Sequence, residues 1–93
     1  MTDLVTVLKA LSSEPRLKIF RLLKERPLCV NAITRSMDIS QPSVSQHLAV
    51  LRNAGLVTSH KRGYRVHYRL NADRLEQFHA AVAAFPGEGP RAA

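Results

Sequence analysis

The chain has 93 residues, a mass of 10.4 kDa and a formal net charge of +7, which together indicate one small basic domain with an anionic partner, either nucleic acid or an acidic membrane surface. Its single cysteine, Cys29, excludes an intramolecular disulfide framework and a cysteine-cluster zinc site within one chain. No apolar run approaches the roughly 18 residues that a membrane span needs. We therefore expect a soluble protein of the reducing cytoplasm.

The first predicted element is a short helix over residues 3–11, and it is apolar around most of its circumference. Such a helix has to be covered on more than one side, so we expect its own core on one side and a second subunit on the other. Its apolar residues are Leu4, Val5, Val7, Leu8 and Leu11.

A second helix is predicted to begin after Ser12 or Ser13, with an acid and a proline in its first turn, and to end near Glu25. Basic residues alternate with its apolar ones and are expected to face solvent. The residues predicted to face inward are Leu17, Ile19, Phe20, Leu22 and Leu23.

Residues 30–36 and 40–55 are predicted to form two helices joined by a short turn. Ser40 supplies an N-cap and Gly55 a left-handed stop. Between them Val44, Leu48 and Leu51 recur at steps of four and three, which places them on one buried face. The opposite face carries amides and hydroxyls but no acid, a composition that suits a DNA groove better than bulk water. This pair of helices is typical of a helix-turn-helix.

After Gly55 the sequence period changes from 3.6 to 2, which predicts a β-hairpin with a turn at residues 62–63. In its second strand we expect one face to be basic and the other to lie against the core. The residues predicted to face the core are Tyr64, Val66, Tyr68 and Leu70, and those predicted to face outward are Arg65, His67 and Arg69. All seven acids of the chain lie outside residues 39–72, so the hairpin is a basic wing.

A last helix is predicted to begin at Asn71 or Asp73 and to place Leu75, Phe78, Val82 and Phe85 on one face. Residues 1–85 are therefore expected to form one domain, and residues 86–93 a flexible tail rich in glycine and proline.

Three segments together resemble the ArsR/SmtB family of bacterial winged-helix transcriptional repressors: LSSEPRLKIFRLL, ISQPSVSQHLAVLRNAGLV and GYRVHYRL. The resemblance covers roughly residues 4–85. It implies a mainly α-helical winged helix-turn-helix with a two-stranded β-wing, in the order α-α-α-α-β-β-α. It also implies a homodimer that represses transcription by binding an inverted repeat in double-stranded DNA.

The same resemblance assigns candidate site residues. For the subunit interface it implies the first and last helices, with Leu4, Leu8, Leu75, Phe78 and Val82. For DNA binding, the resemblance and the acid-free window together indicate Gln41, Ser43, Ser45, Gln46, His47, Arg52, Lys61, Arg62 and Arg65. His47 lies about 60° from the centre of the apolar stripe, so packing or hydrogen bonding within the protein and contact with a base both remain open.

Many members of the family respond to metals, and here the sequence departs from their pattern. Where the family has Cys-Val-Cys, this chain has Cys29, Val30 and Asn31, so the second thiolate is missing. Cys29 is left with three interpretations: a packing residue, a thiol sensor whose pKa Arg26 lowers, or a residual soft-metal ligand. Glu76 and His79 form an i,i+3 pair, and two such pairs across a dimer could make a four-ligand metal site. The alternative is that His79 is an ordinary interface residue.

Two other function classes fit the sequence less well than DNA binding does. A winged helix that binds another protein is the alternative to DNA binding, and competition with nonspecific duplex distinguishes them. An enzyme is not expected, since paired carboxylates, a nucleophile with its base and a phosphate-binding glycine loop are all missing from the sequence. We expect no cofactor and no resident metal. The sequence does not identify an effector or the operator.

Overall fold

Five helices and one small antiparallel sheet make up residues 2–87, the part of the chain that the computed structural model describes. None of these helices is long and apolar enough to cross a membrane. Of the predicted tail, residues 88–93 lie outside the described part. The elements are α1 Thr2–Leu11, α2 Glu14–Glu25, β1 Leu28–Cys29, α3 Val30–Arg35, α4 Gln41–Asn53, β2 Val57–Arg62, β3 Arg65–Leu70 and α5 Ala72–Ala84.

Three of the helices begin at side-chain caps. Ser13 caps α2, Ser40 caps α4 and Asn71 caps α5, and each accepts the backbone N–H three residues further on, at 3.2–3.3 Å. These bonds satisfy donors that the first helical turn leaves without intrahelical partners. The structure thus decides between the alternatives that the sequence left open, in favour of Ser13 over Ser12 and of Asn71 over Asp73.

The sheet has the strand order β1-β3-β2, and the predicted wing is the hairpin formed by β2 and β3. Strand β1 was not predicted, because two residues are too few to display an alternating pattern. This strand exists through its pairing with β3, which sets Leu28 opposite Tyr68 and Cys29 opposite His67. The pairing also half-buries His67, which was expected on an exposed outer face.

The core lies between α1, α2, α3, α4 and the base of the sheet. The predicted stripe of α4 is confirmed, since Val44, Leu48 and Leu51 are all fully buried. On α2 the buried positions are Ile19 and Leu23. Leu17 was predicted to face inward but is 47% exposed, because it lies two residues, and therefore about 200° around the helix, from Ile19.

The wing extends beyond the core. Tyr68 and Leu70 pack against the buried cluster as predicted, but Tyr64 is fully exposed and Val66 is 40% exposed. The period-2 pattern predicted the alternation of the two faces correctly, but it does not show how far along the hairpin the core extends. The turn lies one residue later than expected, at residues 63–64, and begins with Gly63, whose φ of +64° favours glycine.

The start of α5 is fixed to α1 and to the end of α4 by one arginine. The Arg74 guanidinium pairs with the Asp3 carboxylate, one of the two hydrogen bonds measuring 2.7 Å, and its Nε donates to the Ala54 carbonyl at 3.2 Å. Asn71 Nδ2 donates to the Gly55 carbonyl at 3.0 Å. Gly55 has a φ of +79°, so the stop predicted for α4 is confirmed.

Candidate nucleic-acid interface

The face of α4 opposite its buried stripe is polar and open to solvent. Gln41, Ser45 and Gln46 are exposed, and Ser43 is half-buried beside the cap. The Ser40 hydroxyl donates to Ser43 Oγ at 3.1 Å while it accepts the Ser43 N–H. Four of the predicted DNA-binding side chains therefore lie along the first turns of one helix, which we call the recognition helix.

His47 is the predicted DNA-binding residue that is engaged within the protein. It is half-buried, and its Nδ1 lies 3.2 Å from Nη1 of Arg16 on α2. Burial, and after it the neighbouring guanidinium charge, holds the pKa of the His47 imidazole below its ordinary value of 6.5. The ring is thus neutral around pH 7 and hydrogen-bonded between helices.

The wing presents its cations to solvent. Lys61, Arg62 and Arg65 are all exposed, and Arg62 and Arg65 are opposite each other in the last pair of the hairpin. Further down the same face, Arg69 Nε donates to His60 Nε2 at 2.9 Å. The ladder therefore concentrates positive charge on one face and at the tip of the wing.

Tyr64 was not assigned to this surface from the sequence. It follows Gly63 in the turn and is fully exposed between Arg62 and Arg65. A tyrosine in this position offers a flat apolar ring and a phenolic O–H that can bond a phosphate oxygen. The position of Tyr64 next to a turn glycine could have indicated its exposure, but the alternating pattern of the strand predicted that it faces the core.

No acid interrupts residues 39–72, and the acids nearest that window in the chain are Asp38 and Asp73. Arg52 is exposed in the last turn of the recognition helix, so the window is basic at both the helix and the wing. A surface that carries positive charge and no acid, beside a polar helix face, is the electrostatic pattern of a nucleic-acid binder.

Cys29 lies at the start of α3, 8% exposed, opposite His67 in the sheet. The backbone N–H of Ala32 lowers the pKa of the thiol below its ordinary value, burial opposes this, and the charge of Arg65 lowers it further. The cation near Cys29 is therefore Arg65 of the wing. Arg26, which was expected in this role from the sequence, is not the cation that lowers the pKa of the thiol. Within residues 2–87 no three His, Cys, Asp or Glu side chains are grouped so as to hold a metal ion.

The residues predicted for a subunit interface lie on α1 and α5. Leu8 and Val82 are 48% and 47% exposed. Leu4, Leu75 and Phe78 are half-buried, and Phe78 also packs against the core. Glu76 and His79 are both exposed on α5.

A capped polar helix in a helix-turn-helix, followed by a basic hairpin, defines a winged-helix DNA-binding domain. The model for the family described as "Bacterial regulatory protein, arsR family" matches residues 13–59, about half of the chain. The chain belongs to this family, and the resemblance found in its sequence is confirmed.

Several relatives are named as repressors. The "Arsenical resistance operon repressor" of Escherichia coli (strain K12) is 46% identical over 68 residues, which are 72% of this chain and 58% of that protein. The "Transcriptional repressor SdpR" of Bacillus subtilis (strain 168) is 37% identical over 70 residues, 75% of this chain and 78% of that protein. The chain thus spans less than two thirds of the length of the first relative.

Solved structures agree with the fold. The "ArsR-like Transcriptional Regulator from Rhodococcus sp. RHA1" superposes with a TM-score of 0.84 at 26% identity, covering 91% of this chain and 80% of that one. "HlyU from Vibrio cholerae N16961" gives a TM-score of 0.74 at 31% identity, covering 91% of this chain and 94% of that one. The winged helix-turn-helix predicted from the sequence is confirmed.

Proposed function

We propose that this chain is a transcriptional repressor of the cytoplasm that binds an inverted repeat in double-stranded DNA as a homodimer. The observation that carries the proposal is the polar, acid-free face of the recognition helix beside an exposed basic wing. The fold supplies a rigid support for that face, and family membership supplies the regulatory context.

The proposed mechanism divides the work between two surfaces. Gln46, with Gln41 and the serines of the recognition helix, reads base edges in the major groove, where an amide can bond adenine bidentately. The wing cations Lys61, Arg62 and Arg65 bind phosphates, which adds affinity without sequence information. Repression follows because the bound dimer occupies the operator.

A dimer is proposed from the exposed apolar residues of α1 and α5. Leu8 and Val82 each leave nearly half of their surface in solvent. Exposed apolar surface adds no stability to a small domain unless a partner covers it. We expect the Leu8→Asp and Val82→Asp double variant to sediment as a monomer in analytical ultracentrifugation. These positions are preferable to Phe78, whose substitution would also disturb the core.

The function is tested by selecting duplexes from a randomised library with the full chain. We expect enrichment of an inverted repeat whose half-sites lie about one helical turn, roughly 10 bp, or a multiple of it apart. If the dimer makes about six to eight phosphate contacts, log affinity against log salt should fall with a slope near −5 to −7. Equal binding to every duplex, or a flat salt dependence, would contradict the proposal and favour a protein-interaction module.

Matched variants separate the two surfaces. Gln46→Ala should weaken binding to the selected sequence by about 1–3 kcal/mol and relax preference at one position in each half-site. Arg62→Ala should weaken the selected and a scrambled duplex alike. If Gln46→Ala left both affinity and preference unchanged, the recognition helix would be assigned to the wrong surface.

A thiol response is the second candidate, and the observation that favours it is that Cys29 and Arg65 of the wing line the same small cavity, where the Arg65 charge helps to lower the pKa of the thiol. A charged or oxidised sulfur there would change the field at the wing. Operator binding should then respond to oxidant or persulfide in the wild type but not in Cys29→Ser. A Cys29→Ser variant with every response intact would remove this candidate.

A further inference from the structure

Arg16 joins three helices at one point. From α2 its Nε donates to the Ala10 carbonyl at 2.6 Å and its Nη2 to the Lys9 carbonyl at 3.4 Å, both at the C-terminal end of α1. Its Nη1 lies 3.2 Å from His47 Nδ1 on the recognition helix. The guanidinium thus connects α1, which carries part of the proposed subunit interface, to the helix proposed to read DNA.

The chemistry of this contact determines the state of His47. A guanidinium has only donors, so Nδ1 of His47 must be the acceptor and the ring proton must be on Nε2. A protonated imidazole has no acceptor left and adds a second positive charge 3.2 Å from the first. The connection therefore exists only while His47 is neutral.

We propose that Arg16 is a positioning residue for sequence reading, which holds the recognition helix against α1 through neutral His47, and that protonation of His47 releases this connection. The inference rests on the proposed function, since it concerns the placement of the helix that reads DNA. Affinity for the specific sequence is expected to depend on the contact because base readout requires a correctly placed helix, whereas phosphate contacts made by the wing carry no sequence information.

The surroundings of His47 make Arg16 the relevant charge. The α1 end contributes the two backbone carbonyls that hold Arg16 in place. Lys9 of α1 lines a surface cavity together with Arg16, and the causes that lower the pKa of the His47 ring are burial first and the Arg16 charge second. Burial and Arg16 both favour the neutral ring.

The sign of the pH effect follows from linkage. Binding to the specific sequence selects the deprotonated ring, so affinity is highest above the pKa of His47 and falls as the pH drops through it. Each His47 that must lose its proton can change the affinity by at most about tenfold per pH unit. A phosphate contact made directly by His47 would have the opposite sign, because an imidazolium binds an anion more tightly.

The experiment measures affinity between pH 5 and 7.5 for two probes, the duplex enriched from the randomised library and a scrambled duplex of the same length and composition. The readout is the ratio of the two affinities, which cancels charge effects common to both duplexes. For the wild type we expect the ratio to fall as the pH drops through the pKa of His47, which lies below its ordinary value of 6.5.

Variants test the roles of the two side chains. His47→Asn keeps an acceptor near the position of Nδ1 and cannot titrate, so it should keep the neutral-pH ratio and lose the acid-dependent fall. Arg16→Gln should lower the ratio at neutral pH by at least about tenfold, because the charged donor to His47 Nδ1 is lost together with contacts to the end of α1. Arg21→Gln is the matched control, because it removes the same charge from an exposed position of α2.

Three results would overturn the inference: a ratio that rises or stays constant with decreasing pH, an acid fall that persists in His47→Asn, or equal effects of Arg16→Gln and Arg21→Gln. If Arg16→Gln fails to fold, the pH profiles of the wild type and His47→Asn decide the question. If the wild type enriches no sequence, it is the proposed function that fails, and not this inference alone.

Discussion

Replacing Ser40 with alanine should destabilise the protein through the first turn of the recognition helix. The Ser40 hydroxyl accepts the Ser43 N–H at 3.3 Å and donates to Ser43 Oγ at 3.1 Å, and alanine can do neither. The Val44 N–H keeps its bond to the Ser40 carbonyl, because that bond uses only the backbone. The loss is therefore confined to the cap.

Loss of an N-cap costs about 1 kcal/mol, within a range of roughly 0.5–2. For a domain of this size that corresponds to a decrease in Tm of about 4–8 °C. The measurement is urea and thermal unfolding followed by circular dichroism, at one fixed protomer concentration because a dimer's midpoint depends on it. Affinity for the selected duplex should fall as well, since Gln41 and Ser43 lie in the turn that frays.

Two matched variants make this prediction specific. Ser40→Gly should cost only a few tenths of a kcal/mol, since glycine is tolerated at an N-cap. Ser45→Ala, at an exposed interior position of the same helix, should be neutral or slightly stabilising, because alanine has the highest helix propensity. A Ser40→Ala protein as stable as the wild type would refute the capping argument.

Three further predictions concern other contacts. Gly55→Ala should destabilise the protein more than Gly63→Ala does. Both positions need a positive φ, but of the two only Gly55 would place the added Cβ close to a neighbour, Arg74 Nε at 3.3 Å. Equal losses of stability in urea unfolding would contradict this. Tyr64→Ala should weaken DNA binding in a titration without changing Tm, because the side chain is fully exposed; an unchanged affinity would remove Tyr64 from the interface. Arg74 holds the pKa of Asp3 below its ordinary value of 3.8, so this pair stabilises the fold above pH 3.8 and the stabilisation is lost as the pH falls through the lowered pKa. Asp3→Asn should remove that part of the acid dependence. Acid unfolding curves of the wild type and the variant that coincide would count against this prediction.

The sequence predicted the helices that carry strong local signals. A cap, a stop and a 3.6-residue period lie close together in the chain, so the boundaries of α4 and its buried stripe agree with the structure. The two-residue strand β1 carries no such signal, because its existence depends on pairing with a strand nearly 40 residues later. Tyr64 was placed on the core side for a related reason: the alternating pattern gives a direction, but not how far the neighbouring elements extend. Leu17 differs, because its position about 200° around the helix from Ile19 already directs it away from the core.

The candidate site divides in the same way. The amides and hydroxyls of the recognition helix and the acid-free basic window can be read from the sequence, since composition and helical spacing determine them. The contact between Arg16 and His47 cannot, because 31 residues separate the two and their approach depends on how α1, α2 and α4 pack. The same holds for the cation beside Cys29, which the fold brings from the wing.

By itself, the sequence determined the class of the protein, a basic winged helix with a polar helix face, because these are properties of local spacing and charge. The tertiary structure decided which of those residues are free to meet a ligand and which are held within the protein. His47 and Gln46 are neighbours in one motif, yet Gln46 is exposed and His47 is bonded to α2. The physical reason is that burial and hydrogen-bond partners are set by the packing of distant elements, which no local pattern contains.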